Sequence, residues 1–514
     1  MADAWRWDEP TPAEAAARDA AGVDDPRVHA EAPEYGEASP QAEASAYAEA
    51  PEYPESSWYP ETAAAGTMGE ASVDGESLLP SGFAEWFVVA QTAIPALLFL
   101  PGSQALRLPI RVGAYGAAIA GLCLWWFRGR PKGVAHPAEG WLWLAALWLG
   151  IMIAHPFTSS LSGGVAQAVL YIAVFSGLFW APPLVAHPRG LVRILAILLV
   201  CNGLNATVGV LQVYDPDRFM PRELSFAFSG NRDALAAATY VGANGRAVVR
   251  PPGLFDTPGA VCGPGTVAAL LGLIFALQPL AWWKRAASLG MSVAGLAAIY
   301  LSHVRANFVI TVGMMAAYAV LLVAQRQPRR AVTFGALCGA VLITAFLGSS
   351  LLGGEAIADR FSTLLDDDPR ALYYNSRGRQ LSVGFTEFAS QYPLGAGLAR
   401  WGLMNSYFGD PANLDSTPLW AEVQPTAWIF DGGLVLVCLY VGALGAVLFY
   451  HWRLVRELPD PRDQRWAAAV VAVNVGTIAL IFSFVPFTTQ VGLQFWFLEG
   501  ALHGAMRHRP DGDA

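Results

Sequence analysis

The sequence predicts an all-α fold, a polytopic integral membrane bundle of about twelve transmembrane helices with two long outer-face segments. Three observations predict it. The 514 residues are 54% hydrophobic and only 14% charged, with a mean hydropathy of +0.38, which is too apolar for an average soluble domain. Apolar stretches of membrane-crossing length recur along the chain. The short loops between them alternate between basic and non-basic.

The net charge of −9 is concentrated at the N-terminus. Residues 1–75 are rich in Ala, Glu, Pro, Ser and Tyr, and Glu31-Ala32-Pro33-Glu34-Tyr35 recurs as Glu49-Ala50-Pro51-Glu52-Tyr53. So little apolar surface cannot offset the entropy of ordering, so 1–80 reads as a disordered acidic tail, suited to a cytoplasmic protein partner. No basic region followed by an apolar run opens the sequence, so the tail is expected in the cytoplasm, with Phe83 beginning an uncleaved anchor. The five cysteines (Cys123, Cys201, Cys262, Cys338 and Cys438) are odd in number and fall in apolar stretches, which argues against a disulfide framework.

The membrane domain is placed at 81–507. Its candidate spans are 83–101, 108–127, 140–156, 164–184, 191–213, 258–280, 286–302, 305–324, 331–353, 424–450, 466–486 and 487–506. With the tail inside, the inner loops carry Arg128, Arg130 and Lys132, then Arg189 and Arg193, Lys284 and Arg285, and Arg326, Arg329 and Arg330. The last two hold Arg453, Arg456, Arg462 and Arg465, then Arg507 and Arg509. Every inner loop is basic, as the positive-inside rule requires. Both termini are therefore expected in the cytoplasm, and 214–257 and 354–423 face outward. Loops this long generally work or are disordered, and these two carry Trp, Tyr and Phe.

The outward segments hold arginine and no lysine: Arg218, Arg222, Arg232, Arg246 and Arg250, then Arg360, Arg370, Arg377, Arg379 and Arg400. Arg305 lies between the seventh and eighth spans, beside His303. A guanidinium grips phosphate with two parallel hydrogen bonds, which an ammonium cannot do. Arg250, Arg305, Arg377 and Arg379 stand at the edges of apolar spans, where an unpaired charge is costly. They are the candidates for holding an anionic ligand, against a bland alternative in which neighbouring carboxylates pair with them. The charge pattern gives no sign of nucleic-acid binding.

Three stretches carry the remaining argument. Arg250-Pro-Pro-Gly-Leu-Phe-Asp-Thr-Pro-Gly259 leads into a span, and Leu301-Ser-His-Val-Arg-Ala-Asn307 makes a charged hinge. The third begins at Asn375-Ser-Arg-Gly-Arg379, passes Tyr392-Pro-Leu-Gly-Ala-Gly397 and reaches Asp431-Gly-Gly433. Leu381, Phe385, Phe388 and Tyr392 recur at helical spacing, with Ser376 as the expected N-cap and Pro393 and Gly395 as the stop. Arg377 and Arg379 would then occupy the first turn, where the helix dipole attracts phosphate.

In this order the stretches resemble the O-antigen ligase and O-antigen polymerase superfamily over about residues 83–506. Arg250, Gly253, Phe255 and Pro258 match its Arg-x-x-Gly-x-Phe-x-x-Pro stretch, and Ser302 and Arg305 match its Ser-x-x-Arg hinge. Arg377 or Arg379 precedes the Pro393-x-Gly395-x-Gly397 turn, and Asp431 and Gly433 match the acidic-x-Gly return. The resemblance implies a metal-independent membrane glycosyltransferase, without cofactor, acting on a polyprenyl-pyrophosphate-linked oligosaccharide at the bilayer surface. It implies that the outer arginines, Arg400 among them, hold the donor, and that Arg305 stabilises the leaving pyrophosphate; His303, beside Arg305, is placed at the same site as a second candidate for proton handling. Ligases carry a histidine about eleven residues before the glycine; here Glu422 stands there as the candidate base, which favours glycan polymerisation over ligation. Ligation to a lipid or protein acceptor, a lipid-linked solute transporter and a non-catalytic scaffold remain the alternatives.

Overall fold

The computed structural model describes residues 82–100, 103–127, 135–221, 238–241, 247–353, 368–410 and 418–507. The chain clusters into two units, Met1–Ala71 and Ser72–Ala514, and every described residue belongs to the second. The acidic tail, and the candidate arginines Arg222, Arg232, Arg246 and Arg360, lie outside the described residues.

A helix stands at each expected apolar stretch. These are α1 (Phe83–Ala93, continued as a 3-10 turn over Ile94–Phe99), α2 (Arg107–Phe127), α3 (Glu139–Met152), α4 (Leu161–Leu184) and α5 (Pro188–Tyr214). A short α6 (Pro216–Phe219) follows, and then α7 (Cys262–Ala276), α8 (Trp282–Ser302), α9 (Arg305–Ala324) and α10 (Pro328–Gly353). The chain closes with α13 (Gln424–Glu457), α14 (Pro461–Leu480) and α15 (Gln490–Arg507). Seven of them (α2, α4, α5, α8, α9, α10 and α13) are long and apolar enough to cross a membrane. The protein is thus a helical membrane protein. Its departures from all-α among the described residues are a small antiparallel ribbon, β1 (Thr239–Val241) with β2 (Ala247–Val249), and a single bridge between Trp401 and Leu419.

The spanning helices differ in what surrounds them. In α4 72% of the apolar window is buried against protein, but in α2 only 17%, which places α4 centrally and turns most of α2 to lipid. Where α4 meets α15 the backbones touch: a Cβ on Gly500 would stand 2.5 Å from the Gly177 carbonyl oxygen. Apolar side chains gain little by meeting each other in lipid, so such close approach through small residues is the main source of attraction between the helices.

Between α10 and α13 lie the two elements of the second long segment. One rod, α11, is α-helical over Pro369–Tyr373, Arg379–Val383 and Ala389–Gln391 and π-helical over Tyr374–Gly378 and Gly384–Phe388. Asp368 caps it by accepting from the Arg370 N–H at 2.9 Å. The expected cap at Ser376 is therefore corrected: the rod starts at Pro369, and Arg377 and Arg379 lie in its interior rather than at a positive helix end. Tyr392 ends it, as Pro393 and Gly395 require. The short α12 (Gly402–Phe408) follows.

Candidate functional site

The Arg250 stretch is an ordered turn pinned from below. The Gln212 amide, near the end of α5, accepts from the Gly253 N–H and donates to the Gly253 carbonyl, both at 2.8 Å, while Asn205 accepts from the Leu254 N–H at 3.0 Å. Gly253 has a φ of +65°, which suits glycine. The turn folds Arg250 back so that its Nε donates to the Ser302 carbonyl at 3.3 Å, joining the first motif to the hinge. His303, two residues before α9, takes a left-handed φ of +57° and is only 5% exposed, so it is a buried element of the hinge. Arg305 opens α9 half-buried.

Arg377 lies in the first π-helical stretch of α11, a distortion often found at working sites. It forms an ion pair with Glu422, both side chains remaining partly exposed. Burial and then the like charge of Arg250 pull the Arg377 guanidinium below its ordinary value, so the two arginines stand close enough to repel. The segment carrying Glu422 is held by Gln380, one turn further along α11. Its Oε1 accepts from the N–H groups of Glu422 (2.7 Å) and Val423 (3.0 Å), and its Nε2 donates to the Trp420 carbonyl (2.9 Å). Arg379 points to the exposed side of the rod. A groove of about 750 Å³ along α11 is lined by Tyr374, Gly378, Leu381 and Phe385, and Arg377 is not among its walls.

Arg400 sits apart from this cluster. It is 4% exposed, donates to the Ala396 carbonyl at 2.9 Å, and hydrogen-bonds Tyr392. Its turn docks into a break in α13: the Ala396 N–H reaches the Phe430 carbonyl at 2.7 Å and the Leu434 N–H reaches the Pro393 carbonyl at 2.9 Å. Gly432 and Gly433 are non-helical there, Gly433 with a φ of +64°. Asp431 is fully buried and accepts from the Tyr171 hydroxyl (2.7 Å), Trp401 Nε1 (3.0 Å) and Gln167 Nε2 (3.2 Å). The acidic-x-Gly pair is thus the seat for the Pro-x-Gly-x-Gly turn, and its carboxylate is enclosed.

Of the residues singled out by sequence, then, Arg250, Arg377 and Glu422 are brought together, with Ser302 of the hinge against Arg250. His303 is buried in the hinge and Arg400 in the turn that docks on α13. Sequence reasoning missed Asp256, inside the first motif, which pairs with Arg107 and Arg111 of α2, while Arg111 also donates to the Tyr407 hydroxyl at 3.2 Å. The i, i+4 spacing of two arginines entering an apolar span was the available signal. It also missed Gln380, for which no signal existed. Burial and then the Arg400 charge lower the His155 imidazole, which lies between α3 and α4. Among the described residues no group of three or more His, Cys, Asp or Glu could hold a metal ion, and all five cysteines are unpaired.

No protein-family model matches the chain, and no curated protein matches it in sequence.

Proposed function

We propose that the protein is a glycosyltransferase of the bacterial cytoplasmic membrane that joins or polymerises polyprenyl-pyrophosphate-linked oligosaccharides. In this reading all twelve apolar helices span, both termini are cytoplasmic, and the Arg250–Arg377–Glu422 cluster faces outward. The observation that carries it is the Arg377–Glu422 ion pair at one end of an apolar bundle, within electrostatic reach of Arg250. Like charges gathered in this way favour a polyanion, and a diphosphate attached to a lipid would arrive at this depth.

Arg250 and Arg377 hold the diphosphate, with Arg305 and Arg379 as further donors, and their fixed charge stabilises the negative charge that builds as the carbon–oxygen bond to it breaks. The acceptor hydroxyl oxygen attacks the anomeric carbon, and its proton passes to the Glu422 carboxylate. Glu422 is free for this only when it leaves Arg377, so a diphosphate that takes over Arg377 also readies the base. His303 and Arg400 support the hinge and the turn around the donor.

Ligation to a lipid or protein acceptor uses the same chemistry, and a glutamate in place of histidine favours polymerisation. A transporter reading is favoured by a separate observation: Asp431 and Glu499 are both fully buried and bonded across helices. Purified protein in liposomes distinguishes the classes. Transfer of glycan between lipid-linked donors, with release of lipid pyrophosphate, is the expected result; movement of the intact donor across the bilayer without bond cleavage overturns the enzyme.

A further inference from the structure

At the end of the bundle opposite Arg250, a second polar cluster is sealed from solvent. Glu499, two turns inside α15, has no exposed surface. Its Oε1 accepts from His136 Nε2 at 3.1 Å, and its Oε2 from His451 Nε2 at 2.7 Å and Asn474 Nδ2 at 2.8 Å. The three partners come from the approach to α3, from α13 and from α14.

The hydrogen bonds assign the ring protons. His136 Nδ1 accepts from the Ala138 N–H at 3.1 Å, so its hydrogen is on Nε2 and that nitrogen has no lone pair for a metal. His503 Nε2 faces the Arg507 guanidinium at 3.4 Å, which can only donate, so its Nδ1 carries the hydrogen towards the Tyr450 hydroxyl at 3.1 Å. His451 differs: among the described residues its Nδ1 has no hydrogen-bond partner, and neither has Asn474 Oδ1, and both atoms are buried. With every ring neutral the cluster carries one net negative charge in a low-dielectric interior, a costly state. One added proton makes it neutral.

We propose that Glu499 and His451 form a buried proton-binding site, one proton being shared as an imidazolium–carboxylate pair across their 2.7 Å contact. Binding adds H⁺ to His451, with no other reactant, and release returns it to water. The way in follows α15, whose Glu499, His503 and Arg507 lie four residues apart on one face and lead to the partly exposed Arg507. The Tyr450 ring and the His136 ring pack against His503 at 5.3 and 5.2 Å. Other charged groups near this end include Arg453 and Arg456 of α13, Glu457, which is paired with Arg453 and acts on Tyr450, Asp460 and Asp463 at the start of α14, Glu139 beside the His136 backbone, Arg189 and Arg193 of α5, and Glu85 of α1, paired with Arg193. On α14 the facing group is the neutral Asn474, and α4 brings Gly177, Trp180 and Pro182 to this level. The site is independent of the reaction at the other end.

The test is infrared difference spectroscopy of the full chain in lipid nanodiscs, taken across a pH titration, together with melting temperature at each pH. In the wild type an imidazole band and a carboxylate band should change together, and the melting temperature should change across the same interval. Glu499→Gln and His451→Gln should each remove the joint transition and flatten the melting temperature over that interval, whereas His503→Gln should keep it. A wild type without a joint transition overturns the site, and that result needs no variant to fold. So does a Glu499→Gln protein that keeps the wild-type pH dependence, which would leave the cluster a fastener between helices.

Discussion

Arg377 and Glu422 close on each other across the gap between α11 and the segment entering α13, with the Arg250 charge near enough to act on Arg377. A guanidinium paired with a carboxylate and acted on by a second guanidinium is a site where one anion can take the place of another. Glu422 and a diphosphate therefore compete for Arg377. Glu422→Gln should bind inorganic pyrophosphate several-fold more tightly than the wild type, consistent with the loss of a part-exposed ion pair of up to about 1 kcal/mol. The same variant should lose glycan transfer. Isothermal titration in nanodiscs reads the first effect; weaker pyrophosphate binding in Glu422→Gln would show that the carboxylate only positions Arg377.

Arg250→Lys keeps a positive charge but loses the planar fork and the Nε donor that joins the turn to the Ser302 carbonyl. Transfer should fall on the order of a hundredfold to a thousandfold, the cost of removing one donor to developing charge. Arg305→Lys should behave alike, and both proteins should remain at wild-type level in the membrane. Full activity in both would end the pyrophosphate-clamp idea.

The two halves of the site differ in how readable they were, for physical reasons. Arg250 and Arg377 stood out because charge beside an apolar run is rare in a membrane protein. The start of α11 did not, because Leu381, Phe385, Phe388 and Tyr392 mark a face and say nothing of where the rod begins. Asp368 and Pro369 decide that, and they displace Ser376 from the cap. Phe388 packs on Phe430 while Phe385 is exposed, so even the face is shared between protein and surroundings. Contacts such as Arg111 with Asp256 or Tyr171 with Asp431 join residues far apart in sequence, and no local pattern encodes them. The apolar helices were the most legible part, since a bilayer demands a continuous apolar run, and seven of them are long and apolar enough to cross one.

His155 gives a pH dependence with a definite sign. Its imidazole is lowered by burial and by Arg400, so the unfolded chain takes up this proton at a higher pH than the folded chain does. Stability should therefore fall as pH drops below the ordinary histidine value of about 6.5 and level off once the folded imidazole is also charged. The step is small, because the ring is partly exposed. His155→Asn preserves an acceptor for the Phe157 N–H, which His155 Nδ1 accepts at 3.3 Å. Denaturant melts between about pH 5 and 8 should lose this component in the variant. An unchanged slope would place the pH dependence elsewhere.

The break in α13 should be the least tolerant point near the site. Gly433 combines a φ of +64° with a ψ of −161°, a region almost closed to residues with a Cβ. A Cβ there would stand 2.2 Å from the Pro393 carbonyl oxygen, which is backbone and already accepts the Leu434 N–H. Neither partner can yield without lifting the Arg400 turn from its seat. Gly433→Ala should therefore destabilise the protein by about 3 kcal/mol or more, adding a steric cost to the backbone strain. Asp431→Asn leaves the backbone seat intact and keeps one acceptor oxygen for Tyr171 or Trp401, so its loss of stability should be the smaller of the two. Thermal unfolding in detergent ranks them. The reverse order would mean that the buried carboxylate, rather than the glycine break, holds the turn in place.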